Sequence, residues 1–148
     1  MSITTCSQEI YDAFLSNDLT KAFLHGHSFT GNPVGCSVSL ASLDLLEKQD
    51  CQTNIQQVIK SHQAFAKEIE NHPKIDDLRQ TGTILAIALK DDDSGYASNL
   101  RTKLYKHFLS EGILIRPLGN VIYILPPYCI TITELNQIYL ATKKALDL

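Results

Sequence analysis

The dipeptide Asn32-Pro33 fixes the start of a helix early in the chain. Asn is a favourable N-cap, and Pro suits the first helical position, where its missing N–H costs nothing and its φ is already helical. The helix that follows is apolar on nearly all sides, with Val34, Val38 and Leu45 at helical spacing and further leucines between them. Such a helix is buried between layers or lies at a subunit interface, and the sequence leaves both interpretations open.

The residues that precede this helix, 25–32, are typical of a loop that can hold an anion. Gly26 and Gly31 let the backbone approach a ligand closely, and Ser28 offers a hydroxyl beside free amide groups. Gly, Ser and Asn before a helix are also ordinary loop residues. Local chemistry therefore leaves a phosphate site and a plain loop as alternatives.

The composition of the chain excludes several classes of protein. With 148 residues, 44% of them hydrophobic, and a formal charge of -3, the chain can bury the core of about one domain. The absence of a Lys/Arg cluster predicts no nucleic-acid partner, and the short apolar runs predict no membrane partner. The N-terminal residues carry no signal-peptide pattern, so we expect a cytoplasmic protein.

The cysteines and histidines indicate neither disulfides nor a metal centre. The four cysteines are scattered without a Cys-x-x-Cys pair, which is typical of reduced thiols packed as small apolar residues. His25 and His27 can project to one side of an extended segment, but no acidic or thiol partner lies nearby in the sequence. His62 falls on the apolar stripe of a later helix, where we expect a packed, hydrogen-bonded imidazole. The run 91–95 lacks the ligand spacing of a calcium loop and is interpreted as a solvated turn.

The remaining patterns predict an α+β layer in which helices cover one face of a small, mainly antiparallel sheet. Helices are indicated by N-caps, by apolar stripes at helical spacing and by terminal glycines. Strands are indicated by short runs rich in β-branched residues. The predicted order is a strand at 2–6, a helix at 8–14 after Ser7, helices from 33 and at 53–71, a strand at 83–89, a helix at 96–110 that Gly112 ends, a hairpin of 113–116 with 121–125, and a last helix opened by Thr131 and Glu134.

Two separated segments resemble the class III aminotransferases, which depend on pyridoxal phosphate. The first is the segment 25–33 with the small-residue helix behind it. The second combines Arg116-Pro117, Gly119-Asn120-Val121-Ile122-Tyr123 and Pro126-Pro127-Tyr128. This second series is more particular to the branch of the family that serves biotin biosynthesis by transferring an amino group from S-adenosylmethionine to 8-amino-7-oxononanoate. The resemblance spans residues 1–148.

The resemblance implies a fold and a division of the chain. It implies the C-terminal small domain of the fold-type I pyridoxal-phosphate transferases at 53–148, a long connecting helix at 31–52, and the end of the cofactor-binding large domain, with its phosphate loop, at 1–30. The family's lysine that forms the Schiff base with the cofactor would precede Met1. We therefore expect no catalytic residue within this chain, and no aminotransferase activity from the chain alone.

The resemblance also assigns five residues to the site of a homodimer that acts on small molecules. His27 and Ser28 would contact the phosphate of the pyridoxal 5'-phosphate held by the other subunit, where many relatives carry Pro-Thr. Gly26 would leave room beside the substrate. Arg116 would grip the carboxylate of the keto acid substrate, with a structural ion pair as the alternative. Tyr123 would line the substrate pocket, with a buried strand tyrosine as the alternative.

Two other functions stay open from the sequence. Another class III aminotransferase, acting on ornithine, acetylornithine or a similar ω-amino acid, would keep Ser28 but use Arg116 differently. The other alternative is a stand-alone, noncatalytic binding or oligomerisation domain descended from such an enzyme.

Overall fold

The computed structural model describes residues 2–91 and 99–148, and the chain divides into two compact units, 1–47 and 48–148. The predicted start of a helix at residue 96 and most of the turn at 91–95 lie outside the described residues. In the first unit the regular elements are α1 (Gln8–Phe14), a single 3₁₀ turn (Leu19–Lys21) and α2 (Pro33–Glu47). In the second unit they are α3 (Gln49–Ile69), β1 (Ile75–Thr81), β2 (Ile84–Leu89), α4 (Asn99–Ser110), β3 (Val121–Ile124) and α5 (Ile132–Leu146).

The two helices of the first unit begin where their N-caps predict. The Ser7 hydroxyl accepts a hydrogen bond from the Ile10 N–H at 3.4 Å. The Asn32 side-chain oxygen accepts from the second and third amides of α2, at 2.9 and 3.1 Å. These bonds satisfy N–H groups that have no partner inside the helix. The prediction of a strand at 2–6 is wrong, because the described part of this unit contains no second strand that could complete a ladder.

None of the described residues of the first unit is buried. On α2, Val34, Val38 and Leu40 are 70%, 65% and 65% exposed, although the helix is apolar on nearly all sides. Packing of an apolar face is the main source of helix stability in proteins. Within the described part of its own unit, α2 is therefore not buried between layers, and its apolar side chains are exposed.

The second unit is built on a three-stranded antiparallel sheet in the order β1-β2-β3. Leu85 lies opposite Ile124 and Ile87 opposite Ile122 across the β2–β3 pair, and all four side chains are buried. Because side chains alternate along a strand, these residues form one apolar face. The predicted α+β class with a mainly antiparallel sheet is confirmed. The three helices of the unit contribute the other large core residues, including Phe65, Leu104, Phe108, Leu135 and Leu146.

The sheet contains a strand that was not predicted, β1, and lacks one that was predicted, at 113–116. The prediction lacks β1, because the sequence of this edge strand, IDDLRQT, carries few apolar residues. The segment 113–116 is not a strand, and the predicted hairpin is wrong, since β3 pairs with β2 instead. Pro117 lacks the N–H that a ladder needs, and a tight turn closed between Leu118 and Val121 separates 113–116 from β3.

Local signals set the helix ends in the second unit. The first helix, α3, begins at Gln49 rather than at the predicted residue 53. Lys48, with a ψ of 140°, is the one residue between α2 and α3, and its backbone is extended rather than helical. The helix α4 ends at its predicted last residue. There Gly112 adopts a φ of +75°, and the Ile113 N–H donates to a carbonyl of the last turn at 2.8 Å.

The last helix, α5, opens with the predicted capping box. The Thr131 hydroxyl accepts from the Glu134 N–H at 3.2 Å, and the Glu134 carboxylate accepts from the N–H and the hydroxyl of Thr131 at 2.8 and 2.7 Å. The hydrogen bond from the Thr131 N–H, followed by that from its hydroxyl, lowers the pKa of Glu134. The start of α5 is therefore held by two residues that lie three positions apart.

A buried polar contact joins α3, α5 and the turn between β1 and β2. His62 is fully buried; its Nδ1 lies 2.7 Å from the Tyr139 hydroxyl and its Nε2 3.1 Å from the Thr83 carbonyl oxygen. Because a carbonyl oxygen only accepts, Nε2 carries the proton and Nδ1 accepts from Tyr139. Burial lowers the pKa of His62 and raises the pKa of Tyr139, which favours the neutral form of both. The predicted packed histidine is confirmed.

All four cysteines are free thiols. Cys36 and Cys51 are partly buried, whereas Cys6 and Cys129 are exposed. The exposed pair lies in connecting segments outside the helices and strands. The prediction that the thiols pack as small apolar residues is therefore wrong for Cys6 and Cys129.

Candidate functional site

The loop before α2 is closed by its own hydrogen bonds. The His27 N–H donates to the Thr30 hydroxyl at 3.0 Å, and the Thr30 N–H donates to the His27 carbonyl at 2.9 Å. The Asn32 N–H donates to the Phe29 carbonyl at 3.1 Å, and Gly31 takes a φ of +69°, which a side chain would make costly. The residues from 27 to 32 therefore form a defined turn, although all of them are exposed.

This turn leaves several donors without a partner. Among the described residues, no hydrogen bond involves the Ser28 hydroxyl or the N–H groups of Ser28, Phe29 and Gly31. The N–H groups at the start of α2, by contrast, are already engaged by Asn32. Free amides and a hydroxyl in a short turn are the donor set that phosphate takes. The residues present fit a cofactor's phosphate group, bound at the turn rather than at the helix start.

Gly26 and His27 have different surroundings. A Cβ placed on Gly26 would meet no atom within 4 Å, so no packing within the described chain requires a glycine there. His27 lines a cavity of about 660 Å³ together with the turn and the first residues of α2, whereas Gly26 and Ser28 lie outside its lining. Space for a ligand is thus present at Gly26, where the resemblance expects the substrate.

Arg116 and Tyr123, the two site residues expected in the second unit, line one groove. Its volume is about 680 Å³, and its walls are residues 112–116, residues 123–127 and the first half of α5. The tight turn between Arg116 and β3 brings both residues to this groove, although they do not belong to one hairpin. Gly26, His27 and Ser28 belong to the first unit, so the structure groups the five residues into two separate sets.

Arg116 presents a guanidinium that no other described residue engages. Its side chain is exposed, and it takes part in none of the hydrogen bonds or ion pairs of residues 2–91 and 99–148. It lies in an irregular segment rather than at the end of a strand, which corrects the sequence-based placement. The next residue, Pro117, is fully buried, and its carbonyl accepts from the Arg101 Nε at 3.3 Å. A free guanidinium on an anchored backbone is suited to bidentate binding of a carboxylate.

Tyr123 is partly buried, unlike Ile122 and Ile124 on either side of it, which lie in the core. Its position opposite Ala86 in the β2–β3 pair places it on the other face of the sheet. This geometry favours a wall of the groove over a core tyrosine.

Sequence reasoning missed two neighbours of these residues. Glu134 lines the groove of Arg116, although the sequence identified it only as a cap. Thr30 closes the turn around Ser28 through its bond with His27. The sequence signal for this contact was a hydroxyl-bearing residue three positions after His27. The position of Glu134 at the groove depends on how strands and helices pack, whereas the role of Thr30 could have been found from its spacing alone.

The described residues contain neither a metal cluster nor a membrane-spanning helix. Residues 2–91 and 99–148 hold no group of three or more His, Cys, Asp or Glu side chains placed to bind a metal ion. The rings of His25 and His27 lie 5.3 Å apart and meet edge to face. No helix in the described part of the chain combines the length and apolar content needed to cross a bilayer.

Comparison with known proteins points to one family. The sequence model of the family described as Aminotransferase class-III matches residues 1–146. The chain is 42% identical over 147 residues to adenosylmethionine-8-amino-7-oxononanoate aminotransferase of Synechococcus elongatus. It is 36% identical over 152 residues to the protein of the same name from Geobacter sulfurreducens. Each alignment covers 99% of this chain and 34% of the relative.

A solved structure agrees with this result. The crystal structure of adenosylmethionine-8-amino-7-oxononanoate aminotransferase from Methanocaldococcus jannaschii matches with a TM-score of 0.79 and 32% identity, over 95% of this chain and 34% of that one. This chain therefore spans about a third of the length of the relatives it matches. Since the family match extends over almost all of its residues and its fold agrees with that of a solved relative, the chain belongs to the class-III aminotransferase family.

Proposed function

We propose that this chain is the C-terminal part of a pyridoxal-phosphate-dependent aminotransferase that transfers an amino group from S-adenosylmethionine to 8-amino-7-oxononanoate in biotin biosynthesis. The names of its relatives support this choice of substrates. The observation that carries the proposal is the free guanidinium of Arg116 at the groove. A guanidinium of this kind can bind and orient an acceptor that ends in a carboxylate.

The proposal divides the chain into three parts. Residues 1–30 end the cofactor-binding large domain, residues 31–52 connect, and residues 53–148 form the small domain. The change from α2 to α3 at Lys48 supports a boundary within the connection, and the separate core of the second unit supports a small domain. In this proposal the lysine that bonds to the cofactor lies outside residues 1–148, since no lysine of the chain stands in the family's lysine motif.

The first unit contributes the site for the cofactor's phosphate. The Ser28 hydroxyl and the free N–H groups of Ser28, Phe29 and Gly31 would hold the phosphate, while the bonds between His27 and Thr30 hold the turn. When bound, pyridoxal phosphate supplies the electron sink that lets an amino group leave one carbon and join another. The turn's own role is to fix the position of the reacting group.

The second unit contributes the anchor for the substrate. The Arg116 guanidinium binds the carboxylate of 8-amino-7-oxononanoate through two parallel N–H···O bonds. Tyr123 forms an aromatic wall of the same groove. Because Pro117 is buried, the anchor is held in place, and binding at the carboxylate orients the distant ketone.

The proposed enzyme is a homodimer in which the turn of one subunit serves the cofactor of its partner. The exposure of the apolar side chains on α2 supports this, because they have no cover among the described residues. Covering them would be favourable by roughly 25 cal/mol for each Å² of apolar surface. A cytoplasmic location and the lack of nucleic-acid and membrane partners stay predictions from the sequence.

A substrate panel tests the proposed activity. The complete protein that carries this chain is purified with pyridoxal phosphate and assayed with S-adenosylmethionine as donor and 8-amino-7-oxononanoate as acceptor. We expect formation of the diamine with this pair, and none from residues 1–148 alone. Turnover with ornithine or acetylornithine but not with the oxononanoate would assign another class III activity. Self-association without turnover on any pair would assign a noncatalytic domain.

A further inference from the structure

Five aromatic rings of the first unit lie in successive contact up to the turn before α2, with two tilted pairs, one edge-to-face pair and one stacked pair. The ring centroids are separated by 5.3 Å from Phe14 to Phe23, 5.6 Å from Phe23 to His25, 5.3 Å from His25 to His27 and 5.2 Å from His27 to Phe29. Favourable aromatic pairs have separations of about 4.5–7 Å. We call these five residues the ring stack.

From Phe23 to Phe29 the ring stack takes alternate residues and leaves those between them free. Leu24 is 88% exposed, and a Cβ on Gly26 would meet nothing within 4 Å. Ser28 takes part in no hydrogen bond among the described residues, although the rings on either side of it, His27 and Phe29, are stacked at an interplanar angle of 23°. The side chains that flank Ser28 are thus held together, while Ser28 itself is available to a ligand.

We infer that the His27 ring is a positioning element, which holds the Ser28 hydroxyl and N–H ready for the phosphate by stacking on Phe29 and meeting His25 edge to face. The inference rests on the proposed function and adds a role for one residue of that site. His27 is fixed from two directions, because its N–H and carbonyl both bond to Thr30 while its ring lies in the stack. The cofactor-binding role assigned to His27 is therefore exerted through Ser28.

Two substitutions separate this role from direct contact between the imidazole and the phosphate. Phenylalanine keeps an aromatic ring but has no N–H, whereas glutamine keeps N–H donors but has no ring. If His27 acts through the ring stack, phenylalanine preserves its function. If His27 instead donates a hydrogen bond to the phosphate, glutamine preserves its function.

The experiment is a spectral titration of the complete protein with pyridoxal phosphate. We expect His27→Phe to keep the dissociation constant within about twofold, and His27→Gln, His27→Ala and Phe29→Ala to raise it roughly tenfold, because ring contacts are lost. The double variant H27A/F29A should bind no more than about twofold more weakly than H27A, since the two residues act together. Leu24→Ala, in the same segment but outside the ring stack, is the matched control.

The outcomes separate the inference from the proposed function. Affinity restored by glutamine and not by phenylalanine would overturn the positioning role, as would unchanged affinity in all the variants. Failure of the unsubstituted protein to bind pyridoxal phosphate would overturn the proposed function, and the role of His27 with it. Circular dichroism of each variant checks that the fold is kept, and H27F tests the inference even if H27A does not fold.

Discussion

The two units of the chain use their apolar residues in different ways. In the first unit, α1 and α2 begin at the side-chain caps Ser7 and Asn32, yet no described residue is buried. In the second unit, a capped helix of similar kind, α5, buries Leu135, Tyr139 and Leu146 in the core cluster. Caps therefore fix where helices start in both units, but only the second unit encloses a core.

This difference shows what each unit requires in order to be stable. The second unit can be stabilised by its own side chains, because its buried residues form one connected cluster. The first unit has local hydrogen bonds and ring contacts but no buried apolar surface among its described residues. Exposed apolar side chains of this kind are typical of a surface that another surface covers.

The largest expected effect comes from matched leucine truncations in residues 1–148. Leu135→Ala in α5 removes a side chain with 0% exposure and should cost about 2–5 kcal/mol of unfolding free energy. Leu40→Ala in α2, where the side chain is 65% exposed, should change it by less than about 0.5 kcal/mol. Urea unfolding measures both. Equal costs at the two positions would mean that the first unit has a core of its own.

A charge on α2 tests whether its apolar side chains meet a second subunit. In the complete enzyme, Val38→Asp should raise the dimer dissociation constant by at least about tenfold, since an apolar side chain is lost from the contact and a charge is introduced. Ser42→Asp, on the same helix, is the control for charge alone. Sedimentation at several concentrations gives the constants, and a dimer that tolerates Val38→Asp would speak against an interface on α2.

The pH dependence of stability should come from the second unit. The pKa of His62 is lowered by burial, so the unfolded chain takes up a proton near pH 6.5 while the folded chain does not. Stability should therefore fall as the pH drops below about 6.5, by at most about 1.4 kcal/mol per pH unit from this group. His62→Gln should remove this part of the slope, whereas His25→Gln, in the first unit, should keep it. Urea unfolding between pH 5 and 7.5 (roughly one unit either side of a histidine's usual pKa) distinguishes the two variants. An unchanged slope in H62Q would contradict the assignment.

The smallest effect is expected from the helix caps. Thr131→Ala removes the cap of α5 and should lower the unfolding free energy by about 1 kcal/mol. Ser7→Ala removes the cap of α1, which has no buried residue, and should leave the cooperative unfolding of the second unit unchanged. Equal losses of unfolding free energy from the two substitutions, in the same transition, would contradict this difference between the two units.

The features that could be predicted from the sequence are those set by neighbours along the chain. Ser7, Asn32, Gly112 and the pair Thr131 and Glu134 act over three or four residues, so the helix ends they set could be predicted. The strand β1 could not, because a polar edge strand is identified by its partner rather than by its own pattern. The misassigned strand at 113–116 has the composition of a strand but no partner to pair with.

The candidate site likewise has parts that could be predicted from the sequence and parts that could not. Ser28 and Arg116 came from motif resemblance, and the structure adds that both carry donors without a partner among the described residues. The shared groove of Arg116, Tyr123 and Glu134 depends on how β3 and α5 pack, which no local pattern records. The ring stack was equally absent from the prediction, because it depends on the path of the backbone from Phe14 to Phe29, which no local pattern records.

The most direct test of the account is the kinetic effect of Arg116 in the complete enzyme. With S-adenosylmethionine as donor, Arg116→Ala should lower kcat/KM for 8-amino-7-oxononanoate by about 10- to 100-fold, as expected for loss of a charge-assisted bidentate contact, and Arg116→Lys should recover only part of it. The affinity for pyridoxal phosphate should be unchanged. Arg79→Ala, which removes an exposed arginine paired with Asp77, should have no effect. Unchanged kcat/KM in Arg116→Ala would contradict the account, because the free guanidinium would then have no part in binding the substrate.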